Sequence, residues 1–353
     1  MGRAGGGRHE TGKVMIARLE RKLRMLAVIG VAGVVAGLVF VSGQGRTSWP
    51  TLAAAVAYGL LISLSIGGLE LFVADGVLRR WLERLPFTAS VVARSVVYAG
   101  VIVLIQVSQL GSRLVGLPFD PSEQGVWHAI AYSGLFAIGM NLAIGIANLI
   151  GPRAFLNFVT GRYHVPVEES RFVLFVDIAG STGLAERLGG IGFHRFLDQA
   201  FKLLTQPVVD FRGEVLGYVG DEIIVTWSEA AGGVDCRPLR CFAAMRAALA
   251  RSAGEFERAF GAAPRIRGSL HFGPVIIGEI GNVKRAIVFN GDVMNTAARL
   301  EELSRQVDGG FLVSRTALQC FNATPPFAMR DLGLLPIRGR ADGIAVVGLD
   351  MPG

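Results

Sequence analysis

Hydrophobic and polar positions divide the chain into two unlike halves. Up to residue 152 the pattern is one of long apolar stretches. Met25–Gly45, Thr47–Leu69, Ser95–Ser112 and Gln124–Pro152 contain no Asp, Glu, Lys or Arg. Roughly 20 apolar residues cover the hydrocarbon core of a bilayer, so each stretch predicts a transmembrane helix. The third reaches back to Phe87 if Arg94 snorkels to the interface. Gly30, Gly33 and Gly37 give the first span a small-residue face suited to close helix packing. His128, Tyr132, Asn141 and Asn148 put polar groups on the fourth span. Interhelical hydrogen bonds and interface anchoring are their ordinary role, with a haem or quinone site as the alternative that His128 raises.

Beyond Arg171 the runs shorten and mix. Phe172–Ile178 (FVLFVDI) reads as a buried strand ending on an acid. Thr182–Phe211 is largely helical, interrupted at Gly189–Gly190 and kinked at Pro207. Val215–Tyr218 and Glu222–Trp227 form a hairpin whose turn carries Asp221. Cys236–Ala253 is a second helix, and Arg265–Phe272, Val275–Gly278 and Arg285–Phe289 are strands. A helix over Val293–Leu303 and strands at Phe311–Val313 and Ile344–Leu349 complete the pattern. Strands and helices alternate without a regular βαβ repeat, which predicts an α+β sandwich with helices over one sheet. The expected organisation is a cytoplasmic segment 1–24, a four-span domain 25–152, a linker 153–169 and a globular domain 170–350.

Charge refines this picture. The 353 residues carry 35 Lys and Arg against 28 Asp and Glu, a net +7. Residues 1–164 hold 15 of the basic and 7 of the acidic residues, leaving 20 and 21 for the remainder. The excess therefore belongs to the membrane half, and the near-neutral globular half removes most of the case for nucleic acid. Arg18, Arg21, Lys22 and Arg24 precede the first span, Arg79, Arg80 and Arg84 follow the second, and Arg153 and Arg162 follow the fourth. The other two loops carry only Arg46 and Arg113. Basic residues favour the cytoplasmic side, so both termini and the globular domain are expected there, on a multi-pass protein of a cell membrane. The spacing of Cys236, Cys241 and Cys320 matches no zinc or redox pair, which suits free thiols.

Two aspartates, Asp177 and Asp221, sit where a strand meets a turn. Turn aspartates are common. A carboxylate at a buried strand end nevertheless needs a hydrogen-bond partner or a metal, and with the Ile178 carbonyl the two could hold a pair of Mg²⁺ ions on a polyphosphate. Ala179–Gly180–Ser181–Thr182 supplies a small turn at a helix start, where backbone amides face a phosphate. Asn295 and Arg299, four apart, share one face of a helix. An amide and a guanidinium so placed suit charge developing on a phosphoryl oxygen, while a helix cap and a salt bridge are the plainer account.

The ordered set FVDIAGST (175–182), YVGDE (218–222), GEIG (278–281) and FNGDVMNTAARLEE (289–302) resembles the class III nucleotidyl cyclase catalytic domain, the adenylate/guanylate cyclase family. The resemblance covers Glu168 to Leu349, and joined to the spans it looks like the membrane-anchored bacterial type. It implies an α/β sandwich with a ferredoxin-like core. It implies Asp177 and Asp221 as ligands of two Mg²⁺ or Mn²⁺ ions, Asn295 as the residue that orients the nucleotide, and Arg299 as the transition-state arginine. Arg338, in IRG, resembles the basic residue near the triphosphate. The family pairs its catalytic domains head to tail, so a homodimer with two interfacial sites is implied, one subunit giving the aspartates and the other the asparagine and arginine.

The positions that choose the base depart from the family pattern. Adenylate cyclases usually have lysine four residues before the second aspartate and aspartate or threonine seven before the asparagine. Guanylate cyclases have glutamate and cysteine. Here Gly217 and Val288 stand in those places. The resemblance implies ATP as substrate, with a guanylate or dual-specificity cyclase as the alternative. A catalytically silent nucleotide-binding receptor is the other reading, and the intact Asp177, Asp221, Asn295 and Arg299 argue against it. A GGDEF run, expected of a diguanylate cyclase, is missing. The bilayer is one partner; the spans either anchor and pair the catalytic domains or also sense an unknown ligand or lipid.

Overall fold

The computed structural model describes residues 6–45, 48–77, 85–108, 110, 113, 123–283, 285–307, 309–336 and 343–351. The chain forms two compact units, Met1–Pro152 and Arg153–Gly353.

The first unit consists of α1 (Gly6–Gly43), α2 (Trp49–Gly68, continued by a π-helical stretch Leu69–Val77), α3 (Phe87–Ser108) and α4 (Glu123–Ile150). Lys22–Gly43, Trp49–Val73, Phe87–Ser108 and Trp127–Ala147 are long and apolar enough to cross a membrane, four spans as expected. Small residues set the distance between α1 and α2. A Cβ on Gly33 would stand 2.5 Å from the Gly59 carbonyl oxygen, and one on Gly37 would stand 2.6 Å from that of Ala55. Hydrogen bonds join the other helices: Tyr132 Oη donates to the Ala36 carbonyl at 3.1 Å, and Asn141 Nδ2 donates to Val91 O and Ser95 Oγ, both at 3.1 Å.

The third helix does begin at Phe87, and Arg94 within it is held by a carboxylate of the neighbouring helix. It pairs with Glu70, whose other carboxylate oxygen accepts from Tyr98 Oη at 2.5 Å. Pairing compensates both groups, since in hydrocarbon either charge alone is costly. Arg46, Arg79, Arg80 and Arg84, which carried part of the orientation argument, lie outside the described residues, as does the side chain of Asn148.

The second unit is built on one sheet. After α5 (Pro152–Val159) come β1 (Val167–Ile178), α6 (Ser181–Asp210), β2 (Glu214–Val219), β3 (Glu222–Ser228), α7 (Arg237–Phe260), β4 (Ile266–Ile280) and β5 (Ala286–Asn290). Then follow α8 (Asp292–Ser304), β6 (Phe311–Ser314), α9 (Arg315–Gln319), β7 (Ala328–Leu335) and β8 (Ile344–Asp350). Strand order is β2-β3-β1-β4-β6-β8-β7, with β5 also on β4. The β4–β6 pair is parallel and the others are antiparallel.

β1 lies between two strands and under helices on both faces, which explains its unbroken apolar run. Its period of two sends Phe172, Leu174, Val176 and Ile178 into the larger core with α6 and α7. Val173 and Phe175 go to the opposite face, beneath Val293 and Ala297 of α8. Helices thus cover both faces of the sheet. Gly189 breaks α6 as its sequence suggests, with φ 67° and ψ 166°. The two strands expected at Arg265–Phe272 and Val275–Gly278 are one. Gly273–Pro274 falls between the segments of β4 that pair with β6 and with β5, where one edge has no ladder and proline is tolerated.

Candidate active site

Register assembles the site. The penultimate residue of β1 is Asp177, whose cross-strand neighbours are Glu222 on β3 and Arg267 on β4. Directly opposed residues of adjacent strands project from the same face, so three ionisable side chains stand in a row. They share the face covered by α8, and Glu301 of that helix comes down onto them. Single carboxylate oxygens of Asp177, Glu222 and Glu301 lie within 4.8 Å of one another. Asp177 and Glu301 are both almost wholly buried.

Arg267 is the main compensating charge. Its guanidinium pairs with Asp177, and its Nε donates to Glu301 Oε1 at 3.2 Å. Arg305 Nη2 stands 3.8 Å from Asp177 and 3.6 Å from Glu301 Oε2. That second Glu301 oxygen is buried and makes no hydrogen bond among the described residues.

Asp221 follows Gly220, whose φ of 61° lets the β2–β3 turn close tightly. Its carboxyl reaches that of Asp177 and the side chain of Ser181 at the start of α6. Burial, and then the hydrogen bond with Asp221, push Asp177 up to about 7 against the opposing Arg267. Burial and the charges of Glu301 and Asp221 push Glu222 up to about 7. Burial also acts on Asp221, but hydrogen bonds from Asp177, Ser181 and its own amide outweigh it and hold the carboxyl below its ordinary range.

The two aspartates singled out in the sequence therefore meet. Ile178 closes β1 with its side chain in the opposite core. Ala179–Gly180 forms the turn, Gly180 taking φ 74°, and Ser181 and Thr182 open α6, where first-turn amides lack intrahelical acceptors. Asn295 is exposed and Arg299 half-buried on α8, and neither makes a hydrogen bond or ion pair among the described residues. Gly217 sits at a bulge in β2, with open space where a side chain would be. Val288 lies on β5 opposite Gly278. Arg338 lies outside the described residues.

Sequence reasoning missed Glu222, Arg267 and Glu301. Glu222 was legible beside Asp221. Arg267 needs the β1–β4 register, and Glu301 looks like one of two surface acids in RLEE until α8 is laid on the sheet. An all-oxygen donor set with an unsatisfied buried carboxylate oxygen fits a hard divalent cation such as Mg²⁺ or Mn²⁺.

Comparison with known proteins agrees with this geometry. The chain is 35% identical over 231 residues to "Adenylate cyclase 2" of Rhizobium meliloti (strain 1021), covering 65% of this chain and 62% of that protein. It is 26% identical over 180 residues to "Adenylate cyclase" of Anabaena cylindrica, covering 49% of this chain and 35% of that one. The chain thus spans less than two thirds of either relative. The structure of a bacterial light-regulated adenylyl cyclase superposes with a TM-score of 0.53 at 20% identity, over 62% of this chain and 64% of that one, a likeness of fold. The model of the family described as "Adenylate and Guanylate cyclase catalytic domain" matches residues 166–347, just over half of the chain. With the buried carboxylates at the end of β1 and four apolar helices ahead of them, the chain belongs to the adenylate and guanylate cyclase family, as a class III catalytic domain fused to an N-terminal multi-helix membrane region.

Proposed function

We propose that the chain is an adenylate cyclase that converts ATP to 3′,5′-cyclic AMP and pyrophosphate. In this reading it works as a homodimer in the bacterial inner membrane, with both termini and the catalytic domain (170–350, after a linker 153–169) in the cytoplasm. The observation that carries the reading is the meeting of Asp177 and Asp221 at one end of the sheet, while exposed Asn295 and half-buried Arg299 of α8 have no polar partner among the described residues. An uncommitted amide and guanidinium suit a substrate held by a second copy's aspartates.

Asp177 and Asp221, with the Ile178 carbonyl, would hold two divalent ions. Bound there, the ions would supply Lewis acidity for attack of the 3′-oxygen and departure of pyrophosphate. The remaining chemistry falls to the chain's own groups. The small turn at Ala179–Thr182 presents α6's first amides to the polyphosphate. Asn295 orients the ribose so that its 3′-oxygen lies in line with the α-phosphorus. As the new O3′–P bond forms and the bond from the α-phosphorus to the bridging oxygen breaks, Arg299 meets the charge that gathers on the α-phosphoryl oxygens. The hydroxyl proton leaves to solvent and pyrophosphate carries off the electron pair. Arg338 would bind the triphosphate.

A second reading, a guanylate or dual-specificity cyclase, is favoured by one observation. Gly217 leaves open space and Val288 offers only an apolar surface where hydrogen-bonding side chains select the base in relatives. Discrimination without such bonds is weak. The test offers ATP and GTP to the detergent-purified full chain with Mg²⁺ or Mn²⁺ and measures cyclic product and pyrophosphate. Cyclic AMP as the main product, lost in Asp177→Ala, supports the proposal. Comparable turnover of GTP moves it to the second reading, and release of no cyclic nucleotide overturns both.

A further inference from the structure

Tyr163 lies in the short segment between α5 and β1, where chain normally runs over the surface. Its side chain is nevertheless one of the largest fully buried ones in the protein, at 1% exposure. The ring packs in the second core with Val173 and Phe175 of β1, Val275 and Ile277 of β4, and Val293 and Ala297 of α8. Val293 and Ala297 are four apart and form the inward face of α8. Asn295 lies in the turn between them and Arg299 lies two residues beyond. The ring therefore belongs to the core on which that face of α8 rests, the face whose turns carry Asn295 and lead to Arg299.

The residue is tied at both ends. Its phenol donates to Glu169 Oε1 at 3.1 Å and accepts from Arg171 Nη2 at 3.2 Å. Its carbonyl accepts from the Glu279 amide at 3.0 Å. Arg171 is itself held by Glu169 at 2.9 Å and by Glu214 at 3.3 Å, and it lies over the ring of Phe289. Neighbouring cations extend the network. Arg162 reaches Glu169 at 3.3 Å, and Arg153 on α5 stands 4.0 Å from Glu214. Burial raises the phenol above its ordinary range, so it stays a neutral donor.

We infer that Tyr163 is a positioning residue for the cyclase reaction. It seats α8 on the sheet, so it sets the aim of Asn295 and Arg299, and it places that setting under the control of the segment leading in from α5. This rests on the reading that Asn295 and Arg299 serve the cyclisation. The proposed metal ligands Asp177, Ile178 and Asp221 are placed by the end of β1 and the β2–β3 turn, and Glu301, the α8 acid beside them, lies about two helical turns beyond Val293. Loosening Tyr163 therefore separates the two halves of the chemistry: turnover suffers and metal binding does not.

The experiment uses the full chain in detergent and compares Tyr163→Phe and Tyr163→Leu with the parent. It measures kcat, KM for ATP, the Mn²⁺ concentration for half-maximal activity and the unfolding temperature, with Arg299→Ala as control. The expected kcat order is Tyr, then Phe (at least about threefold down), then Leu (at least about tenfold down), with half-saturation by Mn²⁺ within twofold throughout. Partial rescue by Phe over Leu marks the ring as the buttress and the phenol as its tether. Activity within twofold of the parent in folded Phe and Leu variants overturns the inference. So does a loss of kcat that tracks the folded fraction, or one matched by an equal loss of Mn²⁺ affinity. If Leu yields no folded protein, Phe decides alone by the same criteria. An inactive parent chain, or an active Arg299→Ala, instead defeats the underlying cyclase reading.

Discussion

Arg267 stands between two acids that have little other compensation. Asp177 and Glu301 are almost wholly buried, and Arg305, the other cation near them, is half exposed. Removing one partner of a buried ion pair leaves an uncompensated charge and costs about 3–5 kcal/mol. Arg267→Met should therefore lower stability by about 3 kcal/mol or more. Glu301→Gln in the same chain should recover much of that loss, read from unfolding of the full chain in detergent. Protonation gives a second test. Burial and neighbouring acids push Asp177 and Glu222 up to about 7, and a cation binds only their ionised forms. Below pH 7 apparent Mn²⁺ affinity should fall about tenfold per pH unit for each proton displaced, and above 7 it should level off. Affinity independent of pH between 6 and 7 contradicts that. At this scale Asp177 and Asp221 were legible because acids at the ends of apolar runs are conspicuous. Arg267 and Glu301 were not, since only cross-strand register and the seat of α8 bring them to Asp177.

Elements carry a different kind of information. The α1–α2 contact was foreshadowed by Gly30, Gly33 and Gly37, and the structure shows which glycines matter. Gly33 faces the Gly59 backbone, whereas a Cβ on Gly100 of α3 meets nothing within 4 Å. Gly33→Val should cost about 1–3 kcal/mol of membrane-domain stability through overpacking, while Gly100→Ala should be neutral, as measured by thermal unfolding in detergent. Equal effects of the two would remove close packing as the cause. Periodicity revealed β1, β3, the kink of α6 and α8, because each has one or two well-defined apolar faces. It failed at β7, an edge strand whose residues are mostly exposed and so show no alternation. It failed again at Gly273–Pro274, where turn residues sit inside a continuous strand. Span number followed from composition, and the pairing of Arg94 with Glu70 did not, because no linear pattern reveals which charge meets which across a bundle.

For the whole molecule the proposed sharing of sites makes a sharp expectation. Asp221→Ala chains lack the metal ligand and Arg299→Ala chains lack the transition-state cation, with losses of about 10²–10³-fold expected for the latter. Mixed in one membrane preparation, the two should regain activity, up to roughly a quarter of the parent level, because half of the dimers are then mixed and each has one intact site. No recovery in verified mixed dimers would count against shared sites. The same arrangement gives α8 a double allegiance. Glu301 and, just past the helix end, Arg305 lean on the chain's own Asp177, while exposed Asn295 and half-buried Arg299 are left for the partner's substrate. A rigid helix cannot adjust one rim without tilting the other, so the two catalytic centres of a pair ought to feel each other's occupancy. Saturation by ATP should then depart from a hyperbola, with a Hill coefficient away from one, and a mixed pair with a single intact centre should return to simple behaviour.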